Sequence, residues 1–391
     1  MKRRIAHFLF DDKFAKCILD TFDSIEEYES RYYTVTTNTS FSYIDSQRVE
    51  IIHPDNLLNI ISDYQFCDIL ILHSLYAISV EEISKIHKNI VTIWFSWGYD
   101  IYNNPFPDFP LIKIKNQEIA TETSLLAKLK NFWRELKQGK NKLICYYRYG
   151  GKEKRKIFEA AVHRIDYYSG VFPEEYDLLK KRKIFRAKPF QYNYVENNDL
   201  FLKDALNEPI PHPGNNIQVG HNGFAFLNHI DAFRRLSKIS INNRKVICPL
   251  SYCAVPEYLQ KVLNEGKLIF KENFVPILDF MPREKYLELL SSVGYIVLNV
   301  KRQCGVGNIM IGIWHGAKIF MPKNSINYKH FEKMGVKVFT IEEDLNEKEL
   351  NSGLTEDEIY NNRKIINDYY RFDRVRERLI SSLDSIHYNN A

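Results

Sequence analysis

The sequence predicts an α/β protein made of two doubly wound parallel-sheet domains, and three observations carry that prediction. Apolar runs of strand length alternate with helical patterns almost throughout, which is βα repetition and so implies a parallel sheet with helices on both faces. The length of 391 residues exceeds what one hydrophobic core supports, so two domains of about 200 residues each are expected. A polar stretch at 191–216, carrying Asn193, Asn197, Asn198, Pro209, Pro211, Pro213, Gly214, Asn215 and Asn216, interrupts the alternation and reads as a linker. The expected division is a first domain over 1–190, the linker, and a second domain over 217–391 whose last helix can return to the first.

Element by element, strands are expected at Ile5–Phe10, Tyr32–Thr36, Val49–Ile52, Ile69–His73 and Ile90–Phe95, because each is an apolar run of strand length bounded by polar or turn residues. Helical spacing marks Leu57–Tyr64 and Val80–His87 between them. The pattern resumes with a strand at Arg164–Ser169 and a helix at Pro173–Lys183. Beyond the linker a second series predicts strand Ile217–Val219, helix Phe226–Ser237, strand Lys245–Cys248, helix Pro256–Glu265, strand Leu268–Phe270, helix Pro282–Ser291 and strand Tyr295–Val300. An apolar helix then begins near Asn308 and gives way at Gly316-Ala317-Lys318 to a strand-like run, Ile319–Met321.

Composition excludes several classes. With 45% hydrophobic and 26% charged residues the chain is an ordinary globular protein. Six cysteines (Cys17, Cys67, Cys145, Cys248, Cys253, Cys304) are scattered with no Cys-x-x-Cys pair, so they read as reduced thiols of a cytosolic protein with no zinc site. The basic start Met1-Lys2-Arg3-Arg4 is followed by an apolar run that stops at Asp11, too short for a signal peptide. No uncharged stretch is long enough to span a bilayer.

The net charge of +5 is unevenly spread, with thirteen Lys or Arg against four Glu between residues 113 and 156. Within that region Leu125, Leu126, Leu129, Phe132, Trp133 and Leu136 fall at helical spacing and form one apolar stripe flanked by Lys128, Lys130, Arg134 and Lys137. This is the composition of an interfacial helix on anionic lipid, or of a surface helix whose apolar face is ordinary core. No DNA- or RNA-binding motif accompanies the charge, so no nucleic acid partner is expected.

The most informative segment is Arg302-Gln303-Cys304-Gly305-Val306-Gly307-Asn308, which joins the Tyr295–Val300 strand directly to a helix. A strand, a glycine turn carrying a cation and a helix N-terminus make an anion site, because unpaired N–H groups and the positive end of the helix dipole face outward. Arg302 adds a guanidinium suited to a diphosphate. Close packing alone also explains glycine in such turns. Open α/β sheets bind ligands at the carboxyl ends of their strands, so the cleft between two such domains is the expected site. The architecture suits a glycosyltransferase of the GT-B type, an epimerase or a binding protein.

Four ordered segments decide among these. Phe95-Ser96-Trp97-Gly98-Tyr99-Asp100-Ile101-Tyr102, Gln218-Val219-Gly220-His221-Asn222-Gly223 with Asn228-His229-Ile230, Cys248-Pro249-Leu250-Ser251-Tyr252, and the block from Tyr286-Leu287 through Arg302-Gln303 to Gly307 together resemble glycosyltransferase family 56. Its members move 4-acetamido-4,6-dideoxygalactose (Fuc4NAc) from a dTDP sugar to a polyprenyl-linked disaccharide in assembly of the enterobacterial common antigen. The likeness runs over roughly residues 95 to 320, with His221 where the family commonly has Asn and Cys304 where Gln is usual.

The resemblance implies a GT-B fold of two Rossmann-like domains, a nucleotide sugar as substrate with no further cofactor, a lipid-linked acceptor as in O-antigen synthesis, and a peripheral place on the cytoplasmic face of the inner membrane. Glycosyl transfer needs compensation for the charge on a diphosphate leaving group. No Asp-x-Asp motif is present, so a metal-independent site is expected. Its donor-binding residues are Arg302 and Gln303, the Gly305, Gly307 and Asn308 turn, and the Gly220, His221, Asn222 and Gly223 turn, with Ser251 and Tyr252 against the base or sugar. Asp100, and less strongly Asp11, are candidate bases for the acceptor hydroxyl, with helix capping as the plainer role for each. Trp97 is expected to meet the acceptor or membrane, while His7 reads as a core histidine. A non-catalytic sugar-nucleotide-binding or scaffold protein on the same fold is the competing class.

Overall fold

A computed structural model describes residues 2–102, 111–112, 151–194, 206, 209 and 213–386. The chain divides into two compact units. Among the described residues, the first comprises 2–102, 111–112, 151–194 and 369–386, and the second comprises 206, 209 and 213–368. The helix expected at Leu125–Lys137, with Lys128, Lys130, Phe132, Trp133, Arg134 and Lys137, lies outside the described residues.

The first unit holds seven parallel strands: β1 (Arg3–Phe8), β2 (Tyr28–Val35), β3 (Val49–Ile52), β4 (Ile69–His73), β5 (Val91–Phe95), β6 (Tyr167–Ser169) and β7 (Lys188–Pro189). Their order is β3-β2-β1-β4-β5-β6-β7, so strand order reverses between β1 and β4. Helices α1 (Ala15–Asp23), α2 (Pro54–Ile61), α3 (Val80–Ile83), α4 (Gly98–Tyr102), α5 (Gly151–Arg164) and α6 (Pro173–Leu179) connect them. Every residue of β4 and β5 is buried, as a sheet covered on both faces requires. Phe8, Leu70, Leu72, Ile93, Trp94 and Phe95 make its core, each fully buried apolar side chain contributing about 1.5–3 kcal/mol.

The second unit is a six-stranded parallel sheet: β8 (Asn216–Val219), β9 (Val246–Pro249), β10 (Phe274–Ile277), β11 (Val293–Val297), β12 (Lys318–Met321) and β13 (Phe339–Thr340), in the order β10-β9-β8-β11-β12-β13. Here the order reverses between β8 and β11. Its helices are α7 (His229–Leu236), α8 (Pro256–Phe270), α9 (Arg283–Ser291), α10 (Val306–Trp314), α11 (Ile326–Lys333), α12 (Glu347–Leu350) and α13 (Glu356–Tyr370). Ile217, Val219, Phe233, Val246, Val297 and Phe320 lie at the centre of the core.

Two expectations change. Leu268–Phe270 is the last turn of α8 rather than a strand, because burial continues at Val262, Gly266 and Phe270 with helical spacing while Leu268 points outward, 75% exposed. The strand of that unit is instead Phe274–Ile277. Residues 191–194, read as the start of a linker, belong to the first unit, where Tyr192 is buried and stacks on Phe95 at 4.6 Å. The final helix, α14 (Phe372–Asp384), also packs on the first unit, with Tyr28 Oη donating to Asp384 at 3.0 Å and Arg376 donating to the Ser24 carbonyl at 2.7 Å.

Candidate functional site

In the second unit two turns leave adjacent strands at the point where strand order reverses, which is where doubly wound sheets bind ligands. The first follows β8. Gly220 has φ +71, and a Cβ there would sit 2.4 Å from Nε2 of His229, so only glycine fits. Its N–H donates to the Val297 carbonyl at 3.0 Å, tying the turn to β11. Asn222 closes the turn by accepting from Phe224 N–H at 2.9 Å, and Gly223 N–H donates to the Tyr252 carbonyl at 2.9 Å. Ser251 and Tyr252 thereby reach the same edge, and Tyr252 is 48% exposed rather than a core residue.

The second turn follows β11 and leads into α10. Gly305, with φ +68, stands before the helix with no side-chain cap, and its backbone lies against the His221 ring. The first N–H groups of a helix have no partner within it, and Val306, Gly307 and Asn308 occupy those positions. A Cβ on Gly307 would meet nothing within 4 Å, so this end of α10 faces open space. Arg302 is buried with its guanidinium 4.8 Å over the Phe226 ring, and Gln303 is buried beside it in sequence.

The turns are also joined to each other. Cys304 Sγ lies 3.2 Å from His221 Nε2, so the two positions that depart from the family pattern are in direct contact. Burial pushes the Cys304 thiol up to about 12, which keeps it protonated near neutrality. Residues that sequence reasoning left without a role complete the site. Asn327 accepts from Cys304 N–H at 3.3 Å and donates to its carbonyl at 2.7 Å, clamping the loop. Gln218 donates to Gly220 O at 2.8 Å and to Asn308 Oδ1 at 3.4 Å, while Tyr286 donates to the same Asn308 oxygen. Asn228 donates to the Asn299 carbonyl at 2.8 Å. Gln218, Asn228 and Tyr286 each lie in the segments that carry the family resemblance, which was the available signal.

The candidate bases of the first unit are each held by hydrogen-bond donors. Asp100 is completely buried in α4, where its carboxylate accepts from Trp94 Nε1 at 2.9 Å, Leu75 N–H at 3.0 Å and Ser74 Oγ at 3.0 Å. It is therefore out of contact with solvent. Burial raises its pKa to about 7 against those three donors and the Trp97 backbone, which pull it down. Asp11 binds the 42–44 loop, accepting from Ser42, Tyr43 and Ile44 N–H at 2.7, 2.7 and 2.9 Å. Its slight burial raises the pKa, yet those N–H groups outweigh it and leave the net shift downward, which makes Asp11 a weaker base. Trp97 is only 9% exposed, enclosed by Phe10, Phe14 and Tyr194, so the expected membrane or acceptor contact has little ring surface available. His7 is a satisfied core histidine, bonded to His73 at 3.1 Å and to Ser30 at 3.3 Å.

The family model described as 4-alpha-L-fucosyltransferase, glycosyl transferase group 56, matches residues 201–366, which include both turns. Among solved structures, HepE from Anabaena in complex with UDP and glucose superposes with a TM-score of 0.59 at 9% identity, covering 99% of this chain and 100% of that one. The α,α-trehalose 6-phosphate synthase from Burkholderia multivorans gives 0.56 at 8% identity, over 98% and 99% of the two chains. AviGT4, a glycosyltransferase involved in avilamycin A biosynthesis, gives 0.53 at 8% identity, over 98% and 97%. At such identities the superpositions establish the fold, and the family match establishes the class of chemistry. The chain is thus a glycosyltransferase of the GT-B fold whose residues 201–366 match glycosyltransferase group 56.

Proposed function

We propose that the protein moves a deoxyamino sugar, such as 4-acetamido-4,6-dideoxygalactose, from dTDP or a related nucleotide to a polyprenyl-diphosphate-linked glycan. The product would be a bacterial surface polysaccharide of the enterobacterial common antigen or O-antigen kind. The observation that carries this reading is the pair of glycine turns at the β8/β11 reversal, inside the segment that matches group 56. The N–H groups opening α10 and the Arg302 guanidinium stabilise the diphosphate as negative charge develops on it, with no metal required. The Gly220–Gly223 turn, packed on His229 and Ala254, holds the β8 side of the proposed site. The enzyme works peripherally at the cytoplasmic face of the inner membrane, because the polyprenyl acceptor stays in the bilayer. No helix among the described residues is long and apolar enough to cross a membrane.

The test is to incubate purified protein with a panel of dTDP- and UDP-sugars and measure nucleoside diphosphate release with and without a lipid-linked acceptor. Acceptor-dependent release from a dTDP-deoxyamino sugar is expected, and it should persist in excess EDTA. Nucleotide-sugar binding with no release in any combination would identify a non-catalytic binding protein. Loss of activity in EDTA that Mg²⁺ or Mn²⁺ restores would overturn the metal-free account.

A further inference from the structure

Ser74, at the carboxyl end of β4, has φ +96, a backbone conformation that favours glycine. The position nevertheless carries a hydroxyl, and that hydroxyl has three partners. Ser74 Oγ donates to Asp100 Oδ1 at 3.0 Å and accepts from Tyr76 N–H at 3.1 Å and from Tyr99 Oη at 3.2 Å. Since the single Ser74 proton goes to the carboxylate, the tyrosine must be the donor to Ser74. The bonds therefore run one way, from Tyr99 through Ser74 to Asp100. Ser74 and Asp100 are completely buried, whereas Tyr99 keeps part of its surface.

Location adds a second argument. Strand order in the first unit reverses between β1 and β4, and Ser74 directly follows β4 at that point, where a doubly wound sheet presents its ligand site. We infer that Tyr99, Ser74 and Asp100 form a proton relay that removes the acceptor hydroxyl proton during glycosyl transfer. The inference rests on the glycosyltransferase reading above and gives the buried Asp100 a route to the acceptor.

The step balances as follows. The acceptor oxygen bonds to the anomeric carbon, and the anomeric carbon–oxygen bond to the diphosphate breaks with its electron pair leaving on the nucleotide. The acceptor proton passes to Tyr99 Oη, the tyrosine proton passes to Ser74 Oγ, and the serine proton passes to Asp100 Oδ1. Tyr99 and Ser74 end unchanged and Asp100 ends neutral. A carboxyl whose burial raises its pKa to about 7 accepts a proton readily at neutral pH, in contrast to an ordinary exposed aspartate. The titratable groups facing it are Tyr76, Tyr99, Tyr168 and Tyr194, with Asp12 near Tyr99 and Glu175 near Tyr168. On this assignment Tyr99 is the catalytic residue that meets the acceptor, and Ser74 and Asp100 act through it.

The experiment uses the full chain with a dTDP-deoxyamino sugar and a polyprenyl-diphosphate-linked glycan, comparing the parent with Tyr99→Phe and Ser74→Gly. Tyr99→Phe keeps the ring, and Ser74→Gly suits the backbone, so both should fold. Each is expected to lose at least about 100-fold in kcat, in line with loss of general base catalysis, with nucleotide-sugar affinity unchanged. The parent pH profile should show an ionisation near neutrality that both variants lose. In mixtures of H₂O and D₂O the parent kcat should depend on isotope fraction with the curvature of several protons in flight, and the Tyr99→Phe dependence should be linear. A folded Tyr99→Phe or Ser74→Gly enzyme with parental kcat and pH profile overturns the relay while leaving the transferase reading intact. A parent protein that transfers no sugar overturns that reading and the relay with it.

Discussion

At the scale of single residues, Arg302 combines a proposed role with an observed contact. Its charge suits a diphosphate, and its buried guanidinium packs over Phe226. Arg302→Ala should cost about 2–4 kcal/mol of transition-state stabilisation and, through the lost stacking, about 1 kcal/mol of stability. Arg302→Lys restores only part of the turnover, because a point charge cannot form the bidentate fork. Steady-state kinetics alongside thermal melts separate the two effects, and a folded Ala variant with parental kcat/KM removes Arg302 from the phosphate site.

Two glycines show how an element, rather than a side chain, would build the proposed donor site. Gly305 precedes α10 with positive φ and a neighbouring His221 ring 2.9 Å from where a Cβ would stand. Gly305→Ala is strained by about 1–2 kcal/mol and should displace the turn, weakening nucleotide binding together with stability. Gly307 is helical with open space above it, so Gly307→Ala should leave the free protein unchanged or up to about 1 kcal/mol more stable while blocking the approach of a phosphate. Calorimetric titration with dTDP that finds Gly307→Ala binding as the parent does would move the phosphate elsewhere. The basic helix proposed over Leu125–Lys137 carries its own test. Each Lys or Arg near anionic lipid is worth about 1 kcal/mol, so replacing Lys128, Lys130, Arg134 and Lys137 with Gln should release the protein from anionic vesicles and spare donor binding. Binding should also weaken with salt. Sedimentation of the substituted protein equal to the parent would assign the membrane contact to another surface.

For the molecule as a whole, buried histidines make stability depend on pH. Burial lowers the pKa of His229 to about 4 and that of His73 to about 3, and burial followed by the neighbouring His73 holds His7 well below its usual value. Above pH about 6.5 these groups are neutral in folded and unfolded chains alike and impose no pH dependence. As pH falls below that value the unfolded chain takes up protons that the folded chain refuses, so stability drops until the folded pKa is reached. For the second unit, His229 alone should remove about 2 kcal/mol between pH 6.5 and 5, measurable by urea unfolding. Asp100 acts in the opposite sense in the first unit, since its raised pKa makes ionisation cost stability as pH rises from about 4 toward 7. A His229 imidazole that titrates near the ordinary value of about 6.5 in the folded protein would sink the argument.

Local sequence determined a great deal. The largely apolar runs of β4 and β5, the alternation of strand and helix, and the glycine turn entering α10 are encoded by neighbours along the chain, because periodicity and turn chemistry act over a few residues. The resemblance to the family supplied the class of chemistry from four short ordered segments. Only the tertiary structure decided that Leu268–Phe270 ends a helix, since helix and strand compete evenly for a short apolar run and packing of Val262, Gly266 and Phe270 settles it. It also decided that Asp100 is buried among Trp94, Leu75 and Ser74, that Asp11 holds a loop, and that Cys304 meets His221. Those relations join residues on different elements, up to 83 positions apart for Cys304 and His221, and hydrogen bonding at that range depends on how strands are ordered in a sheet, which no local pattern records.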